Sequence, residues 1–147
     1  MADLPLLLQR VREAGGPDRE LDRAVALHFG WTDYDDGMGV MTRMRDPEGV
    51  VGAHYAPSFS ASLDAAVALV ERVRPETHWL IQTSGKIEDH TFDAEMWSGG
   101  KGSGFHQGAT PALALLAALL TSLTQEAHDD DPEAHISRRL GSEAMFN

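Results

Sequence analysis

Cysteine is absent from this chain. That excludes a disulfide framework, a thiol nucleophile and any zinc site built on thiolates. Cations are scarce: 12 Lys and Arg stand against 23 Asp and Glu, for a formal net charge of -11. A phosphate-binding surface needs clustered cations, and the nearest things to clusters here are Arg43/Arg45 and Arg138/Arg139. Direct binding to nucleic acid is therefore not expected. Long apolar runs are missing too. The longest runs only from Ala112 to Leu120, against about 20 residues for a membrane span, so no membrane partner is expected. The opening MADLPLLLQRVREAGG has no basic n-region and no cleavage pattern, which argues against a signal peptide and for a soluble, intracellular protein.

What is present suffices for a core. A chain of 147 residues with 42% hydrophobic content buries roughly two-thirds of its unfolded surface without staples. We expect one domain over residues 1–125, followed by an acidic polar tail, or a short helix from Pro132 to Leu140, within 126–147.

Periodicity predicts a helix from Leu4 to Ala14, with Leu4, Leu7, Leu8 and Val11 on one stripe. Gly15-Gly16-Pro17 stops it. Asp18 stands at an N-cap position before a second helix carrying Leu21, Ala24, Val25 and His28, which should end near Gly30. Two acid-and-glycine turns, TDYDDGMG and RDPEG, bracket VMTRM, a predicted strand with Val40, Thr42 and Met44 on one face. VVGAHY is its expected hairpin partner across Asp46-Pro47-Glu48-Gly49. SASLDAAVALVERV predicts a third helix with Ser62 as cap, Asp64 in the first turn and Leu63, Val67 and Val70 as the buried stripe. Two strands follow, HWLIQT and TFDAEMW. In the second, Phe92, Ala94 and Met96 alternate with Thr91, Asp93 and Glu95. SGGKGSGFHQG reads as a flexible connection. Beyond it Thr110 caps, and Pro111 opens, a helix apolar on nearly every face, the expected central buried helix.

Three pieces in this order, GPDRELDRAVALHFGW, SFSASLDAAVALVERV and GATPALALLAALLTSL, carry a family resemblance. The chain resembles the phage ABA-sandwich domain family, small proteins of tailed phages and prophages, over about residues 17–124. The resemblance implies an α/β/α sandwich of α+β class: a mainly antiparallel sheet of about 4–5 strands with helices on both faces. It implies a setting in the cytoplasm of a host bacterial cell. It brings no established activity. The matched residues Leu21, Trp31, Ser62, Leu63, Asp64, Thr110 and Pro111 are explained by capping and packing.

Tests for chemistry return little. HDDDPEAH, if helical, sets only Asp131 and His135 on one face, where zinc wants three or four ligands, and it fails the H-E-x-x-H pattern. A calcium loop starting at Asp33 would need Gly at Met38 and Glu at Met44. No metal and no cofactor is expected. The glycines of GGKGSGFHQGAT fit neither phosphate-loop register, but they precede a helix N-terminus that favours anions, making Lys101, His106 and Thr110 candidate ligand or anion contacts. Ser103 is not in a G-x-S-x-G elbow. No enzyme signature emerges.

The function expected from this is a phage-type accessory protein acting by contact with a protein partner, as a monomer or a homodimer. Leu113, Leu116, Ala117 and Leu120, or the first helix, would form a dimer seam. A sharper version is an inhibitor of a host defence or nucleic-acid-binding protein. Its acidic surface, Asp33, Asp35, Asp36, Asp129, Asp130 and Asp131, would mimic nucleic acid. The alternative is a small-ligand-binding or hydrolytic domain using the glycine-rich segment 99–108.

Overall fold

The computed structural model describes residues 3–34, 37, 43–52, 56–85 and 90–129. Helices α1 (Leu4–Glu13) and α2 (Arg19–His28) come first, followed by short strands β1 (Thr32–Tyr34) and β2 (Arg43–Arg45). Helix α3 (Leu63–Val73) leads into β3 (His78–Ser84), β4 (Thr91–Ser98), β5 (Lys101–Gly102), β6 (His106–Gly108) and α4 (Pro111–Asp129). β1 and β2 make a two-stranded antiparallel sheet. β4 is the centre of a four-stranded antiparallel sheet, with β3 on one side and both β5 and β6 on the other. The class is α+β, as expected.

Three of the helices start where their caps predict. Asp18 accepts from the amides of Glu20 and Leu21 (2.9 and 3.2 Å), Ser62 from Ala65 (3.2 Å) and Thr110 from Leu113 (3.0 Å), satisfying amides that a helix leaves without partners. Gly30, with φ +98°, takes the left-handed conformation just past α2 that a side chain would resist.

α4 is the centre of the core. Every residue from Ala112 to Leu120 has 0% exposure, because β4 and β6 cover one side of the helix and α1 and α3 the other. A stripe with no exposed atoms cannot also be a seam between copies. The expected dimer contact through Leu113, Leu116, Ala117 and Leu120 is therefore corrected: these side chains are core. Among the described residues no helix is long and apolar enough to cross a membrane.

The alternation in β4 is as predicted. Ala94 and Met96 are buried against α4 and Phe92 is partly buried on the same face, while Thr91, Asp93 and Glu95, half-buried, and Trp97, exposed, lie on the other. Leu80 and Trp97, on that outward face, are 43% and 36% exposed. Among the described residues that face is thus open where they stand, and α4 supplies the helical cover described for the sheet.

Four local expectations change. TDY, expected as a turn, is strand β1, pairing Thr32 with Arg45 and Tyr34 with Arg43. The Asp46–Gly49 turn forms, with Asp46 and Val50 bonded through backbone and side chain (2.9 and 2.8 Å). Of the expected VVGAHY strand, the described residues 50–52 make a bridge from Val51 to Arg45 and a hydrogen bond from the Gly52 amide to the Met44 carbonyl (3.1 Å), and residues 40–42 and 53–55 lie outside the described residues. In α3 the buried stripe is Ala66, Leu69 and Val70, and Leu63 is 37% exposed against 1% for Leu69. A helix with apolar residues at 63, 66, 67, 69, 70 and 73 offers two overlapping stripes, and α4 selects one. The glycine-rich segment, finally, is not a connection outside the sheet, since it contributes β5 and β6. Ser103 pins the bend between them: its amide donates to the Met96 carbonyl (2.7 Å), and its hydroxyl accepts from the Met96 amide (3.0 Å).

Candidate functional site

A cavity of about 680 Å³ lies between α3, the Asp46–Gly52 turn and the segment 56–59 that precedes α3. Sequence places an aromatic residue on each of two neighbouring walls. Trp31 leaves α2 past Gly30, and Phe59 sits in the turn before α3. They meet edge to face, centroids 5.6 Å apart at 81°, a favoured geometry for two rings. Met44 from β2 and Leu69 from α3 are the other large buried apolar residues of the lining.

Two arginines stand at the rim, and both are already engaged. The Arg72 guanidinium lies 5.0 Å from the Trp31 ring centroid, within cation–π range. It is also ion-paired to Glu48, with Asp46 at 4.0 Å. The hydrogen bond to Glu48, seconded by the charges of Glu48 and Asp46, raises its pKa above the usual arginine value. Arg19 donates to Asp22 (2.8 Å), the Ser58 hydroxyl (3.1 Å) and the Ala56 carbonyl (2.7 Å). The mouth is therefore fixed by polar bonds, and the interior is hydrocarbon.

Behind Arg19 is a buried polar knot. Asp22, 1% exposed, accepts from the Ser60 amide at 2.7 Å. The Ser60 hydroxyl accepts from the Asp18 amide (2.9 Å), and the Ser60 carbonyl accepts from the Thr110 hydroxyl (2.7 Å). The start of α2, the turn before α3 and the cap of α4 are tied to one residue. Asp22→Ala should therefore lower stability by about 2–3 kcal/mol, because the Ser60 amide is left buried without an acceptor, and the melting temperature should fall by roughly 5–10 °C. Asp22→Asn, which keeps one acceptor oxygen, should lose less. Thermal melts of the pair check this; an Asp22→Ala protein melting with the native one would remove the knot from the account.

The candidates expected from sequence do not form one site. Thr110 is consumed by capping α4 and by Ser60. His106 is held by the Ser103 carbonyl at Nε2 (2.8 Å), with Arg12 at 3.4 Å from Nδ1. Lys101 lines a separate cavity of about 350 Å³ with Arg74, Ser98 and Glu126, where Arg74 and Glu126 form an ion pair. In register, Lys101 is opposite Ser98 and His106 opposite Ala94, about 13 Å apart along β4. Of the acidic candidates, Asp33 is gripped by both Nη atoms of Arg23, Oδ2 at 2.7 Å from Nη2. That hydrogen bond, seconded by the Arg23 charge, holds the Asp33 carboxyl below its ordinary range. Its charge is thus offset where it stands. Asp35, Asp36, Asp130 and Asp131 lie outside the described residues, as does the Asp129 side chain.

Sequence reasoning missed Arg19, Asp22, Phe59, Ser60 and Arg72. One signal was present: Asp22 lies three and four positions before Val25 and Ala26, placing a carboxylate on the apolar face of α2, where a charge needs a built partner. The cavity had no comparable signal, since its walls come from five separated stretches of the chain. Comparison with known proteins finds that no family model, no curated protein and no solved structure matches this chain.

Proposed function

We propose that this protein works by binding rather than by catalysis, and that the Trp31–Phe59 cavity takes a compact, uncharged, largely apolar ligand. The observation that carries this reading is the cavity: about 680 Å³ lined by Trp31, Met44, Phe59 and Leu69, within the size range of small-molecule sites. Its rim cations are already matched by Asp22, Glu48 and Asp46, so a charged ligand would have to displace those partners. Asp46, the carboxylate of the described lining, accepts from the Val50 amide and faces Arg72. That arrangement suits a structural carboxylate better than a general base, which must reach a substrate proton. The setting we infer, from the resemblance to the phage family, is an accessory protein in a bacterial cytoplasm.

The test is titration with N-phenyl-1-naphthylamine, a neutral fluorescent probe. Saturable binding with a Kd on the order of 10–100 µM is expected from the usual efficiency of a ligand of this size. Ala65→Trp, on the α3 wall of the cavity, fills the space and should abolish binding while circular dichroism stays native. Equal binding by the native and filled proteins would sink the proposal.

A further inference from the structure

β3 is one edge of the four-stranded sheet. It pairs with β4 along its whole length and, among the described residues, has no strand on its other side. A free row of N–H and C=O groups is a template for another strand, and edges are usually blunted by charge, proline or a bulge. His78-Trp79-Leu80-Ile81-Gln82-Thr83-Ser84 has no Asp, Glu, Lys, Arg or Pro, and its register with β4 is unbroken. In a chain of net charge -11 this is an unusually neutral line of approach.

The helix-facing side of β3 is also short of cover. Trp79 and Ile81 lie opposite Met96 and Ala94, on the face that packs on α4. Yet Trp79 is 38% exposed and Met96 1%. α4 packs chiefly under β4 and β6, so the flank under β3 is left partly open.

We infer that β3 pairs antiparallel with β3 of a second copy, about a two-fold axis passing beside Ile81. That register sets Ile81 against the partner's Ile81, Trp79 against the partner's Thr83, Leu80 against the partner's Gln82 and His78 against the partner's Ser84. The strand is self-complementary, as an isologous contact requires. It matches an aromatic with a β-branched residue and a β-branched residue with itself, both favourable cross-strand pairs. No charge meets its own copy, the requirement on which most surfaces of so acidic a chain fail. The axis stands normal to the sheet, so both α4 helices fall on the same side and both Trp79 rings gain cover.

Sedimentation equilibrium of the full chain tests this. A reversible dimer is expected, tightening several-fold as ionic strength rises to about 0.3 M, because the remaining charges repel and salt screens them. Gln82→Lys should weaken the dimer about tenfold, since symmetry counts each altered pair twice. This substitution makes the chain less negative, so a general charge effect would act the other way. The chain has no cysteine, which makes crosslinking unambiguous. Ile81→Cys should oxidise to a covalent dimer, whereas Thr83→Cys, about 14 Å from its copy in this register, should not. A monomer at every concentration and salt, a dimer indifferent to Gln82→Lys, or Thr83→Cys crosslinking as readily as Ile81→Cys would each overturn the inference. Should Ile81→Cys fail to fold, the mass measurement on Gln82→Lys decides alone.

Discussion

Alanine at position 108 is expected to destabilise the fold by about 3 kcal/mol or more, at the upper end of what overpacking costs. A Cβ built on Gly108 would lie 2.7 Å from the Cα of Ala114 and from the carbonyl carbon of Leu113. Those atoms are the backbone of α4, which cannot swing aside as a side chain does. β6 would have to lift from the helix, and its pairing of Gly108 with Phe92 on β4 would go with it. In a protein of this size such a loss lowers the melting temperature by about 10 °C. Gly16→Ala is the control. A Cβ there meets nothing within 4 Å, so a change of no more than about 0.5 kcal/mol is expected. Urea unfolding of both variants decides it. Equal midpoints would mean that β6 and α4 are not packed backbone to backbone.

Leu116→Ala should cost about 4 kcal/mol, in the upper part of the range for leucine truncation in a core. The cost of such a change depends on how far neighbours can collapse into the space. Leu116 is fully buried in a helix pressed by β4 and β6 on one side and by α1 and α3 on the other. Two layers would have to move toward each other to close the gap. Leu123, further along the same helix, is only partly buried and should lose about 1–2 kcal/mol on the same substitution. Denaturant midpoints for the two variants separate the cases. A Leu116→Ala loss no larger than that of Leu123→Ala would show that α4 is not enclosed from both sides. With total stability typically about 5–15 kcal/mol, either Leu116→Ala or Gly108→Ala removes a large share of it.

Much of this architecture was legible from residues. α4 announced itself through Thr110, Pro111 and an unbroken Ala–Leu pattern. Its all-round apolarity required a central place, which the structure gives it. The caps at Asp18 and Ser62 were readable because their chemistry is local. β4 was readable because eight residues are enough for alternation to show, and β3 because its seven residues carry strand formers such as Trp79, Ile81 and Thr83. β1, β5 and β6 were not. At two or three residues each they have no period, and their turn-like residues outweigh the strand signal. Gly108 looks from sequence like one more loop glycine, and only the approach of Ala114 explains it. The facing of α3 also lay beyond local reasoning, since Leu63 and Leu69 are equally apolar and a distant helix chooses between them. The site was the least legible part. The chemistry-bearing residues Lys101 and His106 drew attention through their type, whereas the cavity consists of ordinary core residues left with space between them.

The turn from Ser58 to Ser62 is a meeting point of helix beginnings. Ser62 caps α3, Asp18 at the head of α2 bonds to Ser60, and Thr110 at the head of α4 bonds to Ser60 as well. Each helix start carries a partial positive charge of roughly half a unit. Three of them converge here, and two carboxylates meet them: Asp18, which accepts from the first amides of α2, and Asp22, whose own counter-ion Arg19 reaches out to solvent. In a molecule whose side chains sum to -11, the partial positive charges of the helix starts thus give two of the many carboxylates a favourable place.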